Sequence, residues 1–283
     1  GHDFVYDWSI IALVYSFTSI IGPILGGLII GDIFLPLITI QLIGLIFGLV
    51  VVNKIPSGKV TLRKTSSKLK QTFDLIKEFK IWGILVPKAL PLITMTVVIA
   101  VIDSIYWTLG GLYAIRAFGS NKFTWVPIVL YSLPFIAGSM LMARLNLKRY
   151  RKLLSQLFLL MASLTLSLFV FSRDRLLISL GIILLSSLFL ALTEPLNSGV
   201  FSNLCRRLGK EMEHLIAIQK ISASFAYIIG PLFGGILADW LGYEATFTVI
   251  GLFGIVCASL LLILAPKKIR LPQSEIKILE KIS

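Results

Sequence analysis

The chain has 283 residues, 57% hydrophobic and only 14% charged, with a mean hydropathy of +0.91. A soluble domain of this size needs far more polar surface, so a water-soluble globular fold is excluded. The formal net charge of +13 would suit a nucleic-acid binder, but the placement of the basic residues removes that reading.

In chain order, the apolar runs are 8–31, 33–53, 89–113, 123–143, 153–172, 176–202, 215–238 and 245–266. Each is long enough to cross about 30 Å of hydrocarbon as a helix. Five carry no charge, and the third, sixth and seventh carry one each: Asp103, Glu194 and Lys220. Backbone polar groups in lipid must be paired within the protein, and barrel strands would need only about ten alternating residues apiece. The expected fold is an all-α polytopic membrane protein with eight transmembrane helices. Residues 1–52 hold two spans, 53–80 a basic loop, 81–266 six spans, and 267–283 a basic tail. Within the loop, 73–85 has the amphipathic spacing of a helix lying on a membrane surface.

Numbering the spans one to eight, 21 of the 27 basic residues fall in 54–80, 144–152, 206–210 and 267–281. The loops on the opposite side hold four: Arg116, Lys122, Arg173 and Arg175. By the positive-inside rule the first group is cytoplasmic, and an even number of spans puts both ends of the chain on that side. The expected location is a bacterial-type plasma (inner) membrane. Facing anionic lipid explains the charge, so no nucleic-acid partner is expected.

Cys205 sits at a helix end and Cys257 in mid-span, too different in depth for a disulfide. With His2 and His214 as the only histidines and no Cys/His cluster, neither a metal nor a cofactor is expected. The first span follows an aromatic, acidic leader and is too long for a signal-peptide core. No nucleophile elbow, phosphate loop or acidic cluster is present, so the chain does not read as an enzyme.

The stretch "IIGPILGG" at 20–27 recurs as "IIGPLFGG" at 228–235. At this offset of 208, Gly22, Pro23, Gly26 and Gly27 align with Gly230, Pro231, Gly234 and Gly235. Six spans make up the offset, an even number, so both copies run in one direction: a parallel repeat about an axis along the membrane normal. Each proline removes a backbone donor, and each Gly-x-x-x-Gly face lets helix backbones approach closely.

These residues resemble the major facilitator superfamily, in particular its drug–proton antiporters, whose fifth helix carries a motif ending in G-P-x-x-G-G. Ser9 and Thr18 stand where that pattern has Gly. The resemblance implies that spans one to eight correspond to helices 5–12 of a twelve-helix fold, with the first four helices lying upstream. The loop at 53–80 then takes the place of the family's inter-half loop. It also implies that Gly22 and Gly26 pack against span four near residues 134–138. The implied function is secondary active transport by alternating access, namely proton-coupled efflux of a small solute or drug. The alternatives are a metabolite or sugar importer of the same superfamily, a polytopic membrane enzyme, or a non-transporting membrane partner. Implied partners are the lipid bilayer, a small-molecule substrate, and protons or another coupling ion.

An ionisable side chain at bilayer depth costs roughly 2.5–3.5 kcal/mol, so each is a functional candidate. Asp103, Tyr106 and Trp107 share one helical face and are candidates for contact with substrate or a proton. Pairing of Asp103 with Arg116, and an interfacial role for the two aromatics, stay open. Glu194 and Lys220 lie at similar depth on consecutive spans and are expected to neutralise each other, with Asn197 nearby. Left unpaired, Glu194 becomes the better proton site.

Overall fold

The computed structural model describes residues 20–22, 42, 45, 75–145, 150–173, 175–208 and 212–265. Spans one and two, with Pro23, Gly26 and Gly27, therefore lie almost wholly outside the described residues. The same holds for most of the loop at 53–80, for the tail and for the first copy of the repeat beyond Gly22. The described chain forms α1 (Leu75–Phe118), α2 (Trp125–Arg144), α3 (Arg151–Ser167), α4 (Leu176–Leu208), α5 (Met212–Leu241) and α6 (Tyr243–Leu264). Short 3-10 turns at Asn121–Phe123 and Leu168–Ser172 open α2 and close α3. Six segments are long and apolar enough to cross a membrane, matching spans three to eight, and the described residues contain no strand. The protein is an all-α polytopic membrane protein.

The expected surface helix at 73–85 is not a separate element. From Leu75 on it forms the opening turns of α1, which continues unbroken through Pro87 and Pro91. Ile81, Leu85, Ala89 and Leu92 fall at i, i+4, i+8 and i+11 and are buried against Phe201, Leu204, Cys205 and Leu208 of α4 and Leu215 and Ile218 of α5. An apolar stripe of this period serves a lipid surface or a neighbouring helix equally, and here neighbouring helices cover it.

α1 is central. It packs against α5 and α2, touches α4 and α6, while α3 packs on α4 and α6, and α2 on α4. The core runs along α1 through Met95, Val98, Ile102, Ile105 and Leu109, against Leu159 and Leu166 of α3, Phe169, and Phe247 of α6.

Three hydrogen-bonded rungs join α1 to α4: Asn197 Nδ2 donates to Thr96 Oγ1 at 3.3 Å, and Tyr106 and Tyr113 hydroxyls meet Ser186 and Ser179 at 2.6 Å each. Rising numbers on α1 meet falling numbers on α4, so the two helices are antiparallel. Interhelical hydrogen bonds in membranes average about 0.6 kcal/mol and reach about 1.7. Tyr106→Phe and Tyr113→Phe are each expected to lower stability within that range, read by chemical denaturation in mixed micelles. A loss above about 3 kcal/mol would mean that the hydroxyl does more than make one hydrogen bond, the buried serine being left without its partner when the oxygen is removed.

Glycines set the closest helix contacts. A Cβ on Gly138 of α2 would lie 2.7 Å from Ala191 Cβ of α4. One on Gly230 of α5 would collide with Ser104 of α1, and one on Gly234 would lie 3.3 Å from Ile105 Cγ1. Of the contact expected between Gly22 and Gly26 and residues 134–138, Gly26 lies outside the described residues; a Cβ added to Gly22 would meet no described residue within 4 Å, and Ala191 stands beside Gly138.

Candidate substrate and proton site

Asp103 sits near the middle of α1, where the helix crosses α2 and α5. Tyr131 of α2 donates its hydroxyl to Asp103 Oδ1 at 2.6 Å, and Tyr227 of α5 donates to Oδ2. Trp107 stands one turn along α1 on the same face. Each carboxylate oxygen thus accepts from a different helix, offsetting the loss of water around the charge. Tyr131 is 3% exposed and stacks on Tyr106, with ring centroids 4.2 Å apart; Tyr227 is 45% exposed.

Glu194 of α4 is close enough for the Asp103 charge to act on it. From Leu190 to Asn197 every residue is buried except Glu194, which is exposed. The acid is therefore the one accessible side chain on an otherwise buried stretch of helix. One turn on, Asn197 is 4% exposed, and its Oδ1 has no hydrogen-bond partner. The arrangement is rich in acceptors: two carboxylates and an amide oxygen, edged by tyrosine and tryptophan.

Of the residues singled out in sequence, Asp103, Trp107, Glu194 and Asn197 belong to this region. Tyr106 does not line it; the ring is buried behind Tyr131 and bonded to Ser186. Lys220 also stands apart. It is exposed on α5, and no ion pair joins it to Glu194. Similar depth did not bring the two charges together because α4 and α5 touch only lightly, whereas α5 packs chiefly on α1. Glu194→Gln and Lys220→Met are accordingly expected to have additive effects on transport, within about 0.5 kcal/mol. A double mutant markedly healthier than that sum would restore the pair. Arg116 does not pair with Asp103 either: its guanidinium lies 3.9 Å from Glu244 and over the Tyr243 ring at 5.9 Å.

Sequence reasoning missed Tyr131 and Tyr227. Their signal is position: both stand near the middle of their spans, away from the interfacial depth where membrane tyrosines gather. No group of His, Cys, Asp or Glu among the described residues could hold a metal ion.

A bundle of six helices long and apolar enough to cross a membrane, with carboxylates inside its spans, belongs to the class of integral membrane proteins. Residues 139–282, just over half of the chain, match the model of the BT1 family, and the chain belongs to that family. The resemblance to drug–proton antiporters of the major facilitator superfamily is thereby overturned. It rested on Gly-Pro-x-x-Gly-Gly, and Gly230 and Gly234 of the second copy are contact points between α5 and α1, a packing role that many membrane helices share. Neither curated proteins nor solved structures gave a match.

Proposed function

We propose that the protein is a secondary active transporter that moves a folate- or pteridine-type solute by alternating access and is driven by protons. The substrate class follows the family, whose members are folate/pteridine-type transporters. The observation that carries the proton coupling is Asp103, hydrogen-bonded by tyrosines from two other helices, with a second acid, Glu194, near enough to feel its charge.

Such an acceptor-rich region suits a planar heterocycle with several N–H donors along one edge. Carboxylate and amide oxygens take the donors, and an indole or phenol face takes the ring. A solute whose donors occupy a carboxylate competes with a proton for the same charge, which is the exchange that couples the two. The outward direction expected from the glycine motif loses its support together with the antiporter resemblance. Import is the direction we carry forward, with the basic ends of the helices cytoplasmic by the positive-inside rule.

The test is flux of radiolabelled folate and of pterin into vesicles holding the purified protein, with and without an imposed proton gradient. Accumulation that follows the gradient supports the reading, and reversal of the gradient fixes the direction. Equal flux in protein-free vesicles, or accumulation indifferent to the gradient, rejects it.

A further inference from the structure

We propose that Asn197 is a positioning residue for the proton step: its side-chain oxygen accepts the O–H of protonated Glu194 and draws that carboxyl from its exposed position into the seam between α1 and α4. This rests on the reading above that carboxylates inside the spans exchange protons, and adds where the second of them goes once it is filled.

The orientation of the amide is fixed by its neighbour. Thr96 has one hydroxyl hydrogen, and it goes to the Leu92 carbonyl at 3.0 Å. Toward Asn197 the threonine can therefore only accept, so the amide turns an N–H to Thr96 and its oxygen away. Asn197 is 4% exposed, and that oxygen is sealed from solvent with no partner among the described residues. A buried acceptor left unmatched is costly, and a sealed one has to find its donor in a neighbouring side chain.

Thr193, one turn before Asn197 on α4, has also spent its hydrogen, on the Phe189 carbonyl at 2.8 Å. The rungs between α1 and α4 set the register of the two helices: Thr96 is level with Asn197, Tyr106 with Ser186 and Tyr113 with Ser179. Asp103 therefore lies seven residues along α1, about 10 Å, from the level of Asn197 and cannot serve its amide. Glu194 is closer, at i−3 on the same helix, with its Cβ about 5–6 Å away. A helical side chain lies over the turn before its own Cα, which carries the Asn197 amide toward Glu194.

An ionised carboxylate only accepts and has nothing to offer an amide oxygen. The two repel, and Glu194 is the exposed residue of its stretch. One proton turns the carboxyl into the donor that Asn197 lacks. The proton stays on the carboxyl oxygen, no other covalent bond changes, and the side chain swings inward. A solute N–H that took the same amide oxygen would displace the carboxyl, so proton and solute exclude each other there.

Charged and titratable groups on the elements packed against α4 are few. α1 brings Asp103 and Tyr106, α2 brings Tyr131 and, exposed at its end, Arg144. α3 begins with Arg151 and Lys152, α5 carries Lys220 and Tyr227, and the turn at Leu168–Ser172 has none. Of these, Asp103 is the one whose charge acts on Glu194.

The experiment is pH-difference infrared spectroscopy on the full-length protein in vesicles. Acidification should raise a protonated-carboxyl band that is absent from Glu194→Gln and present in Asp103→Asn. In Asn197→Leu, which removes the acceptor and nearly keeps the size, that band should move to higher frequency, as a carboxyl does when its O–H loses its acceptor. The folded yield should hold, because the hydrogen of Thr96 is already placed and the oxygen removed is an unmatched one. Thr96→Val is the second variant: it keeps Asn197, releases the amide from its anchor and should broaden the band. A Glu194 band at the same frequency in Asn197→Leu as in the unmutated protein overturns the proposal; the Ala191 carbonyl, which Pro195 leaves without a helical donor, would then be the acceptor. An unchanged band in Thr96→Val, or no Glu194 band at any pH where the protein stays folded, overturns it too. Because the measurement uses no solute, a shifted band in a protein without folate flux would sink the transport reading and leave the role of Asn197 standing.

Discussion

Asp103→Asn is expected to cut gradient-driven flux on the order of 100-fold, the upper end of the coupling usually found between linked sites. The substitution is nearly isosteric. It keeps one acceptor for Tyr131, whose ring remains stacked on Tyr106, and so leaves the α1–α2 contact in place. It removes the negative charge and with it the ability to trade a proton. Stability should stay level or rise, because a carboxylate inside a span is costly and an amide is less so. Function and fold are thereby separated: flux collapses while the unfolding midpoint does not. Glu194→Gln should cost less, since the acid that the tyrosines hold is still present. A stable variant with wild-type flux and unchanged pH dependence would remove Asp103 from the mechanism. A destabilised variant with normal flux would make it a structural hub for three helices.

How much of this was legible in the sequence differs from element to element. The last six spans were, because uncharged length is a direct physical requirement for crossing hydrocarbon, and α1 to α6 fall on those runs. The start of α1 was not, since the stripe Ile81, Leu85, Ala89 and Leu92 looks the same whether lipid or protein covers it. Asp103 stood out by its cost in lipid. Its partners did not, because a mid-span tyrosine is also an ordinary core residue until a carboxylate is found opposite. The Glu194–Lys220 pair failed for a geometric reason. Sequence gives depth along a helix but not which neighbour its face meets, and α5 turned out to lean on α1. The family was misread for a related reason: a short Gly-Pro motif reports close helix packing, which many unrelated membrane proteins need.

Gly251→Leu is expected to be the most damaging glycine substitution for the fold. A Cβ there would lie 2.7 Å from Ser167 Cα and 2.8 Å from the Leu166 carbonyl carbon, and closer still to the Ser167 nitrogen. These are backbone atoms of α3, which cannot swing aside as a side chain does. Gly254, nearly one turn along α6, faces the fully buried side chain of Ser163, so the two helices are in close contact over that length. Inserting even one methylene into a packed interior commonly costs about 1–3 kcal/mol, and a leucine adds four carbons against rigid backbone. Against a total stability of about 5–15 kcal/mol, α3 and α6 must separate or the protein must unfold. The control is Gly235→Leu on α5, where a Cβ would meet nothing within 4 Å. Monodisperse yield after detergent extraction and the thermal midpoint should fall sharply for Gly251→Leu and hold for Gly235→Leu. Gly251→Ala should lie between the two, because its single methyl still meets the backbone of Ser167. If Gly251→Leu proved as stable as the Gly235 control, α3 and α6 could not be packed backbone to backbone, and the core around Phe169 and Phe247 would have to be redrawn.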